Sequence, residues 1–140
     1  MKLSERLDQA RPWGSSYENR KMAREAAGLT TGMVVVDGCR MRYARSEGNG
    51  PPLVLCNGIG ANLELALTLV NALPGIPVIL FDLPGLGGSP RAMIWPSIRR
   101  YARLVHGLLQ KIGVHGHFSV AGISWGGTLA MQLAHDYPSQ

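Results

Sequence analysis

The sequence is short of cysteine, charge and long apolar runs, and each shortage excludes a class of protein. Only two of the 140 residues are cysteines, Cys39 and Cys56, which is too few for the disulfide framework of a small secreted domain. Hydrophobic residues make up 46% of the chain and charged residues 16%, a globular balance and not that of a disordered chain. No run of eighteen apolar residues occurs, so no transmembrane segment is predicted.

The beginning of the chain lacks the features of a secretory signal. Residues 1–8 carry acids and no apolar core, so a cytoplasmic protein is expected. The net charge of +5 is concentrated in residues 1–45, which hold nine Lys or Arg against five Asp or Glu. These charges are interleaved, and no aromatic and basic motif accompanies them, so no nucleic-acid partner is predicted. These charges are better explained by a solvated helical face than by docking to an anionic surface.

The sequence pattern divides the chain into a helical N-terminal extension and a domain of strands and helices. Residues 3–28 predict a helical extension, broken at Pro12-Trp13-Gly14 and capped at Gly28. Asp37-Gly38 then separates two β-rich runs, which predicts a two-residue hairpin. From there to the end, apolar strands alternate with helices, which predicts a parallel sheet built by right-handed crossovers. The strands are expected at 53–56, 77–81 and 118–123, and the helices after Asn62, at 97–113 and at 125–137. The predicted fold class is therefore α/β, with a basic helical extension at 1–30 and the sheet domain at 31–140.

Ser124 lies between the last predicted strand and the last helix, in Gly122-Ile123-Ser124-Trp125-Gly126. The Gly-x-Ser-x-Gly pattern is weak alone, but in this position it predicts a nucleophile elbow. Gly122 and Gly126 are needed because a Cβ at either position would collide with the neighbouring strand or helix. The backbone N–H of Trp125 would point at an oxyanion from the helix N-terminus. An ordinary tight turn with an incidental serine is the alternative.

Two more glycine-rich loops follow strands and open at the same edge of the sheet. In Asn57-Gly58-Ile59-Gly60-Ala61-Asn62, the Ile59 amide is the expected second oxyanion donor, because glycines at both sides let the backbone approach substrate. A plain strand-to-helix turn is the alternative. The loop at 82–89 lacks both the dinucleotide spacing and a P-loop lysine. It is expected to be a structural turn, and no cofactor is predicted.

No histidine of the chain is placed to act as a base for Ser124. Two histidines precede the last predicted strand, at its wrong end, and a third lies on the polar side of a helix. The fourth, like Asp136 beside it, lies about three helical turns beyond Ser124. Surface or capping roles, and no metal site, are predicted for all four: His106, His115, His117 and His135. We therefore expect the core to be truncated after the helix that follows Ser124, and the isolated chain to be inactive.

Several segments together resemble the intracellular poly(3-hydroxyalkanoate) depolymerases, α/β hydrolases that act on bacterial storage polyester granules. They are residues 57–65, 81–89, 122–127 and 134–138, and the resemblance covers about residues 33–138. It implies that Ser124 is the acylating nucleophile, that Ile59 and Trp125 lend oxyanion amides, and that later strands supply an Asp and a His. The related polyester synthases use Cys at the elbow, so Ser124 favours hydrolysis.

Three functions are compatible with this resemblance. The first is the N-terminal half of a polyester depolymerase or related carboxylester hydrolase. The second is a non-catalytic granule-associated protein that docks through its basic N-terminus. The third is a haloperoxidase-like or carbon–carbon bond hydrolase on the same fold. The expected partners are an ester substrate, the surface of a storage granule, and a second copy paired through the strand at 118–123.

Overall fold

The computed structural model describes residues 17–93 and 97–140, which form a five-stranded sheet with helices on both faces. The strands are β1 (Leu29–Val36), β2 (Cys39–Ser46), β3 (Leu53–Cys56), β4 (Val78–Phe81) and β5 (Ser119–Gly122). The helices are α1 (Tyr17–Ala26), a 3-10 turn (Leu63–Ala66) that runs into α2 (Leu67–Asn71), α3 (Ile98–Lys111) and α4 (Trp125–Asp136). The order across the sheet is β1-β2-β4-β3-β5.

The predicted hairpin is confirmed, and its first strand is longer than expected. Asp37 and Gly38 have φ of 47° and 78°, as a two-residue turn of this kind requires. Antiparallel pairing then runs without interruption from Val36↔Cys39 to Leu29↔Ser46. The sequence pattern missed the start of β1 because Gly32 is a poor strand residue. Here a Cβ on Gly32 would lie 2.6 Å from Oη of Tyr43, so the ring on β2 takes the space of the missing side chain.

The remaining strands form the predicted parallel sheet. β3 pairs in parallel with β4 on one side and with β5 on the other, while β2 joins the far side of β4 in antiparallel fashion. Successive strand residues point to opposite faces, and both faces are covered. One face packs Val54, Ile79 and Phe81 against α3 and α4. The other packs Leu55 and Leu80 against the 3-10 turn, α2 and α1.

The loop at 57–62, between β3 and the 3-10 turn, is termed the first loop, and the loop at 82–89, after β4, is termed the second loop. The helices agree with the sequence pattern except after the first loop. Gly28 has φ of 67° just past α1, and the Ser97 hydroxyl accepts from the Arg100 amide at the start of α3. After Asn62, however, a 3-10 turn precedes the short α2. The Asn62 side chain makes no cap bond, and the Leu63 amide instead donates to Asp82 Oδ1 at 2.8 Å, which tightens the first turn.

The N-terminal segment packs on the sheet domain as far as it is described. Ala23 and Ala27 lie against the core on the α2 side of the sheet. The helix expected before Pro12 lies outside the described residues, and the division at residue 30 stays a prediction. None of the described helices combines the length and apolarity needed to cross a membrane.

The strand that leads to Ser124 lies at the edge of the sheet. β5 pairs with β3 from Leu53↔Ser119 to Cys56↔Gly122. Among the described residues, no strand pairs with its other side. Ile123, directly after β5, is 55% exposed. An open edge of this kind can pair with another strand.

Candidate active site

Ser124 occupies a strained turn between β5 and α4. Its φ of 55° and ψ of −123° lie in a region that residues other than glycine rarely adopt, at a cost of about 1–3 kcal/mol. The flanking glycines explain how the turn closes. A Cβ on Gly122 would overlap the carbonyl of Gly126, and a Cβ on Gly126 would overlap the carbonyls of Cys56 and Asn57. The Ser124 side chain is exposed at the carboxyl edge of the sheet.

The loop after β3 lies beside this turn. A Cβ on Gly58 would be 3.7 Å from Ser124 Cβ and 3.4 Å from the Ile123 carbonyl oxygen, so the loop backbone approaches the serine closely. Asn57 Nδ2 donates to the carbonyl of Asn62 at 2.8 Å and closes the loop at its base. Gly60 has φ of 75°, which turns the chain back after Ile59.

Two backbone amides near Ser124 have no acceptor within the described part of the chain. The amides of Gly126 and Gly127 donate to Ile123 and Ser124 carbonyls at 2.9 Å, whereas those of Trp125 and Ile59 donate to no described group. Trp125 is the first residue of α4, where helix amides lack partners and favour negative charge. Both amides thus belong to segments next to Ser124 and remain available as hydrogen-bond donors.

An apolar cavity of about 380 Å³ adjoins the serine turn. The first loop, the second loop, α3 and α4 each contribute to its walls. The rings of Tyr101 and Trp125 meet edge to face, with centroids 5.5 Å apart. The lining residues are Ile59, Gly60, Leu83, Pro84, Leu86, Ser97, Ile98, Tyr101 and Trp125. A cavity of this size and polarity suits a hydrocarbon chain.

A buried ion-pair network, which we term the Glu64 network, holds the first two loops together. It consists of Arg24, Arg42, Glu64 and Asp82. Arg42 donates to both Glu64 carboxylate oxygens at 2.9 Å and to Asp82 Oδ2 at 2.6 Å, and Arg24 pairs with Glu64. Asp82 also accepts from the amides of Leu63 and Gly88 at 2.8 Å. Sequence reasoning missed the network because its members are far apart in the chain.

Burial and charge oppose each other in this network. Burial alone would raise the pKa of Glu64, but hydrogen bonds and charge from Arg42, with charge from Arg24, lower it overall. At Asp82 burial dominates and raises the pKa, although the Gly88 amide and Arg42 oppose it. The pKa of Arg42 is raised: burial lowers it, but its two carboxylate partners outweigh that effect. Arg42 is therefore the fixed cation between the two acids.

The histidines lie where the sequence placed them, away from Ser124. His106 stacks on Tyr137 with ring centroids 3.7 Å apart and hydrogen bonds to Gln140 at 2.7 Å. His115 and His117 precede β5, at the opposite end of that strand from Ser124, and contact Gln110 and Gln140. His135 is exposed near the end of α4. Among the described residues, none forms a hydrogen bond with the Ser124 hydroxyl, and no cluster of His, Cys, Asp or Glu suits a metal.

Comparison with known proteins points to one fold family. The sequence profile described as "alpha/beta hydrolase fold" matches residues 51–140. The poly(3-hydroxyalkanoate) depolymerase of Ectopseudomonas oleovorans is 46% identical over 90 residues, which are 64% of this chain and 31% of the relative. Lipase 3 of Moraxella sp. (strain TA144) is 32% identical over 127 residues, 89% of this chain and 39% of the relative.

Solved structures give the same result. The crystal structure of a membrane phospholipase A superposes with a TM-score of 0.80 at 31% identity, over 88% of this chain and 40% of the other. The epoxide hydrolase CorEH superposes with a TM-score of 0.73 at 32% identity, over 79% of this chain and 39% of the other. The chain thus spans between about a third and two-fifths of the length of the proteins it matches.

Proposed function

The chain belongs to the α/β-hydrolase family, and we propose that it is the nucleophile-bearing part of a serine hydrolase of carboxylic esters. The conformation of Ser124 supports this most. A serine held at φ of 55° is costly unless the turn is needed, and both flanking glycines are required sterically for the turn to form. An incidental serine in an ordinary turn would give no reason for this strain. The relatives named as lipases and a depolymerase also favour ester chemistry.

In this proposal Ser124 Oγ attacks the ester carbonyl carbon and its proton passes to a base. The carbonyl oxygen becomes an oxyanion that accepts hydrogen bonds from the amides of Ile59 and Trp125. Collapse of the tetrahedral intermediate expels the alcohol, which takes up a proton, and leaves an acyl-Ser124 ester. Water then attacks that ester, which releases the acid and restores the hydroxyl. Asn57, Gly58 and Gly60 shape the first oxyanion loop.

The base and its orienting acid are proposed to come from outside these 140 residues. No described histidine reaches Ser124, and the matched regions are only 31% and 39% of the relatives' lengths. The isolated chain should therefore hydrolyse esters little better than its binding and oxyanion contacts allow. Ester hydrolysis by Ser124 should therefore require that a base be supplied.

The substrate is proposed to be a poly(3-hydroxyalkanoate) ester or a similar ester with an apolar acyl part. The 380 Å³ cavity is lined mainly by hydrophobic side chains and would hold the acyl side chain. The relative with 46% identity is named for this polyester. Association with polyester granules in the cytoplasm follows from the same proposal.

The test joins residues 1–140 to the part of the Ectopseudomonas oleovorans depolymerase that follows its matched region. We expect this chimera to hydrolyse p-nitrophenyl octanoate and 3-hydroxyalkanoate oligomers. Ser124→Ala should lower turnover by more than about 10³-fold while substrate binding is retained. Ser119→Ala, at the other end of β5, is the matched control and should keep full turnover. An active chimera in which Ser124→Ala loses nothing would refute the proposal.

The oxyanion assignment has its own matched pair of variants. Ile59→Pro removes the backbone N–H, whereas Ile59→Ala keeps it and removes only the side chain. In the active chimera, Ile59→Pro should lower kcat by about 10²–10³-fold, and Ile59→Ala should change it much less. Circular dichroism and unfolding curves would show that both variants fold. Equal losses in the two would assign Ile59 a packing role instead.

A further inference from the structure

A second cavity, distinct from the apolar one, lies between α1 and the first two loops. Its volume is about 340 Å³. We term it the arginine cavity, after three of the residues that line it. The lining residues are Arg20, Arg24, Arg42, Asn62, Glu64, Gly87 and Gly88. Neither the proposed ester chemistry nor the elbow uses this cavity.

The arginine cavity carries an excess of positive charge. Arg24 and Arg42 are neutralised by Glu64, which also lines the cavity, and by Asp82; these two carboxylate side chains are 1% and 0% exposed. Both Glu64 oxygens are already bound by the two arginines. Arg20 lies one helical turn before Arg24 on α1, so it adds a third guanidinium to the same wall. No carboxylate among the described side chains pairs with Arg20.

Several donors of the cavity wall form no hydrogen bond with the residues that the structure describes. Arg24 is 5% exposed, yet among the described residues its single hydrogen bond, from Nη1 to Glu64, uses only one of its five N–H groups. Arg24 lines the cavity, and its other N–H groups bond to no described residue. Asn62 contributes a side-chain amide that makes no bond to the described residues. A nearly buried guanidinium with unused donors is costly without an acceptor.

We propose that the arginine cavity binds a phosphate monoester. The unused donors come from α1 and the first loop, so they reach the cavity from two different elements. A tetrahedral anion offers oxygens to all of them, whereas a planar carboxylate matches only one guanidinium fork. The volume exceeds that of a bare phosphate and leaves room for the organic group. This inference does not depend on Ser124 being a nucleophile.

The bound phosphate would join α1 to the loops that border the elbow. Arg20 and Arg24 belong to α1, while Asn62 ends the loop that holds Ile59. Binding would therefore stabilise the folded chain in proportion to ligand concentration above its Kd. It would also protect the amides of α1 from hydrogen exchange.

The experiment titrates the 140-residue chain with glycerol 3-phosphate and, separately, inorganic phosphate, at constant ionic strength in sodium chloride. Calorimetry should show saturable binding of both, with glycerol 3-phosphate binding at least as tightly. Arg20→Gln should weaken binding about 10- to 100-fold, because it removes one charged donor without exposing Glu64. Arg99→Gln, an exposed arginine on α3, is the matched control and should bind as wild type. Ser124→Ala should also bind as wild type.

Two results would overturn the proposal. One is the absence of saturable binding by wild type, measured both by calorimetry and by phosphorus-31 line broadening. The other is equal affinity in wild type and Arg20→Gln, which would show that any binding occurs elsewhere. Binding of inorganic phosphate without binding of glycerol 3-phosphate would overturn the assignment of a monoester.

Discussion

Replacing Glu64 by Gln tests the Glu64 network most severely. The side chain is 1% exposed and is the shared partner of Arg24 and Arg42. Gln preserves the shape but removes the charge, so the buried guanidinium of Arg24 and the partly buried one of Arg42 are left with the Asp82 carboxylate alone. Removing one partner of a buried ion pair costs about 3–5 kcal/mol. For a chain of this length, that loss lowers Tm by about 10–17 °C.

The pH dependence of the Glu64→Gln effect has a defined sign. The pKa of folded Glu64 lies below its ordinary value of 4.5, so its contribution is present above that value. It is lost as the pH falls through the folded pKa. The difference between wild type and Glu64→Gln should therefore be constant near neutral pH and shrink below about pH 4.5.

Urea unfolding followed by circular dichroism, at several pH values, measures this difference. Glu47→Gln is the control, because that side chain is 88% exposed and its Oε1 forms only a long ion pair, 4.0 Å from Arg45 Nε. It should change stability by less than about 1 kcal/mol. If Glu64→Gln were as stable as Glu47→Gln at neutral pH, the network would not support the loops as described.

The remaining predictions concern the elbow, a buried thiol and the open strand edge. Gly126→Ala should unfold the turn or shift its backbone, because the new methyl overlaps the Cys56 and Asn57 carbonyls, whereas Gly116→Ala meets nothing and should be neutral in unfolding experiments. Burial raises the pKa of Cys56 to about 12, so at pH 8 its native thiolate fraction is about a thousandfold below that of an ordinary thiol. Peptide-resolved iodoacetamide labelling should find Cys56 unreactive until urea is added; labelling at the unfolded rate in native buffer would contradict this. The unpaired edge of β5 should make the isolated chain dimerise or bind apolar dye, and light scattering from a compact monomer without dye binding would contradict that expectation.

The fold was predictable where local patterns carry the information. Asp37-Gly38 specifies the hairpin turn by its backbone requirement alone, and the apolar strands after residue 53 specify a sheet covered on both faces. Ser124 stands out because two glycines flank it at fixed spacing. The positions of the four histidines along the strands and helices were enough to exclude them as a base for Ser124.

What the sequence did not reveal depends on contacts between distant residues. The Glu64 network joins α1, β2 and two loops, and no local pattern distinguishes a buried glutamate from an exposed one. The 3-10 turn after Asn62 has the same cause, since Asp82 captures the Leu63 amide. The only signal in the sequence was the position of Glu64, which lies next to the candidate oxyanion loop and 18 residues before the next acidic residue, Asp82.

Labelling by a fluorophosphonate probe, mapped to the modified residue by mass spectrometry, tests the central claim most directly. In an esterase-active chimera with the depolymerase segment, the probe should modify Ser124 and no other residue. The 140-residue chain alone should remain nearly unlabelled, because none of its described residues hydrogen bonds to that hydroxyl as a base would. Labelling of a different residue in the active chimera would contradict the assignment of Ser124 as the nucleophile. Strong labelling of Ser124 in the isolated chain would contradict the proposal that its base lies outside residues 1–140.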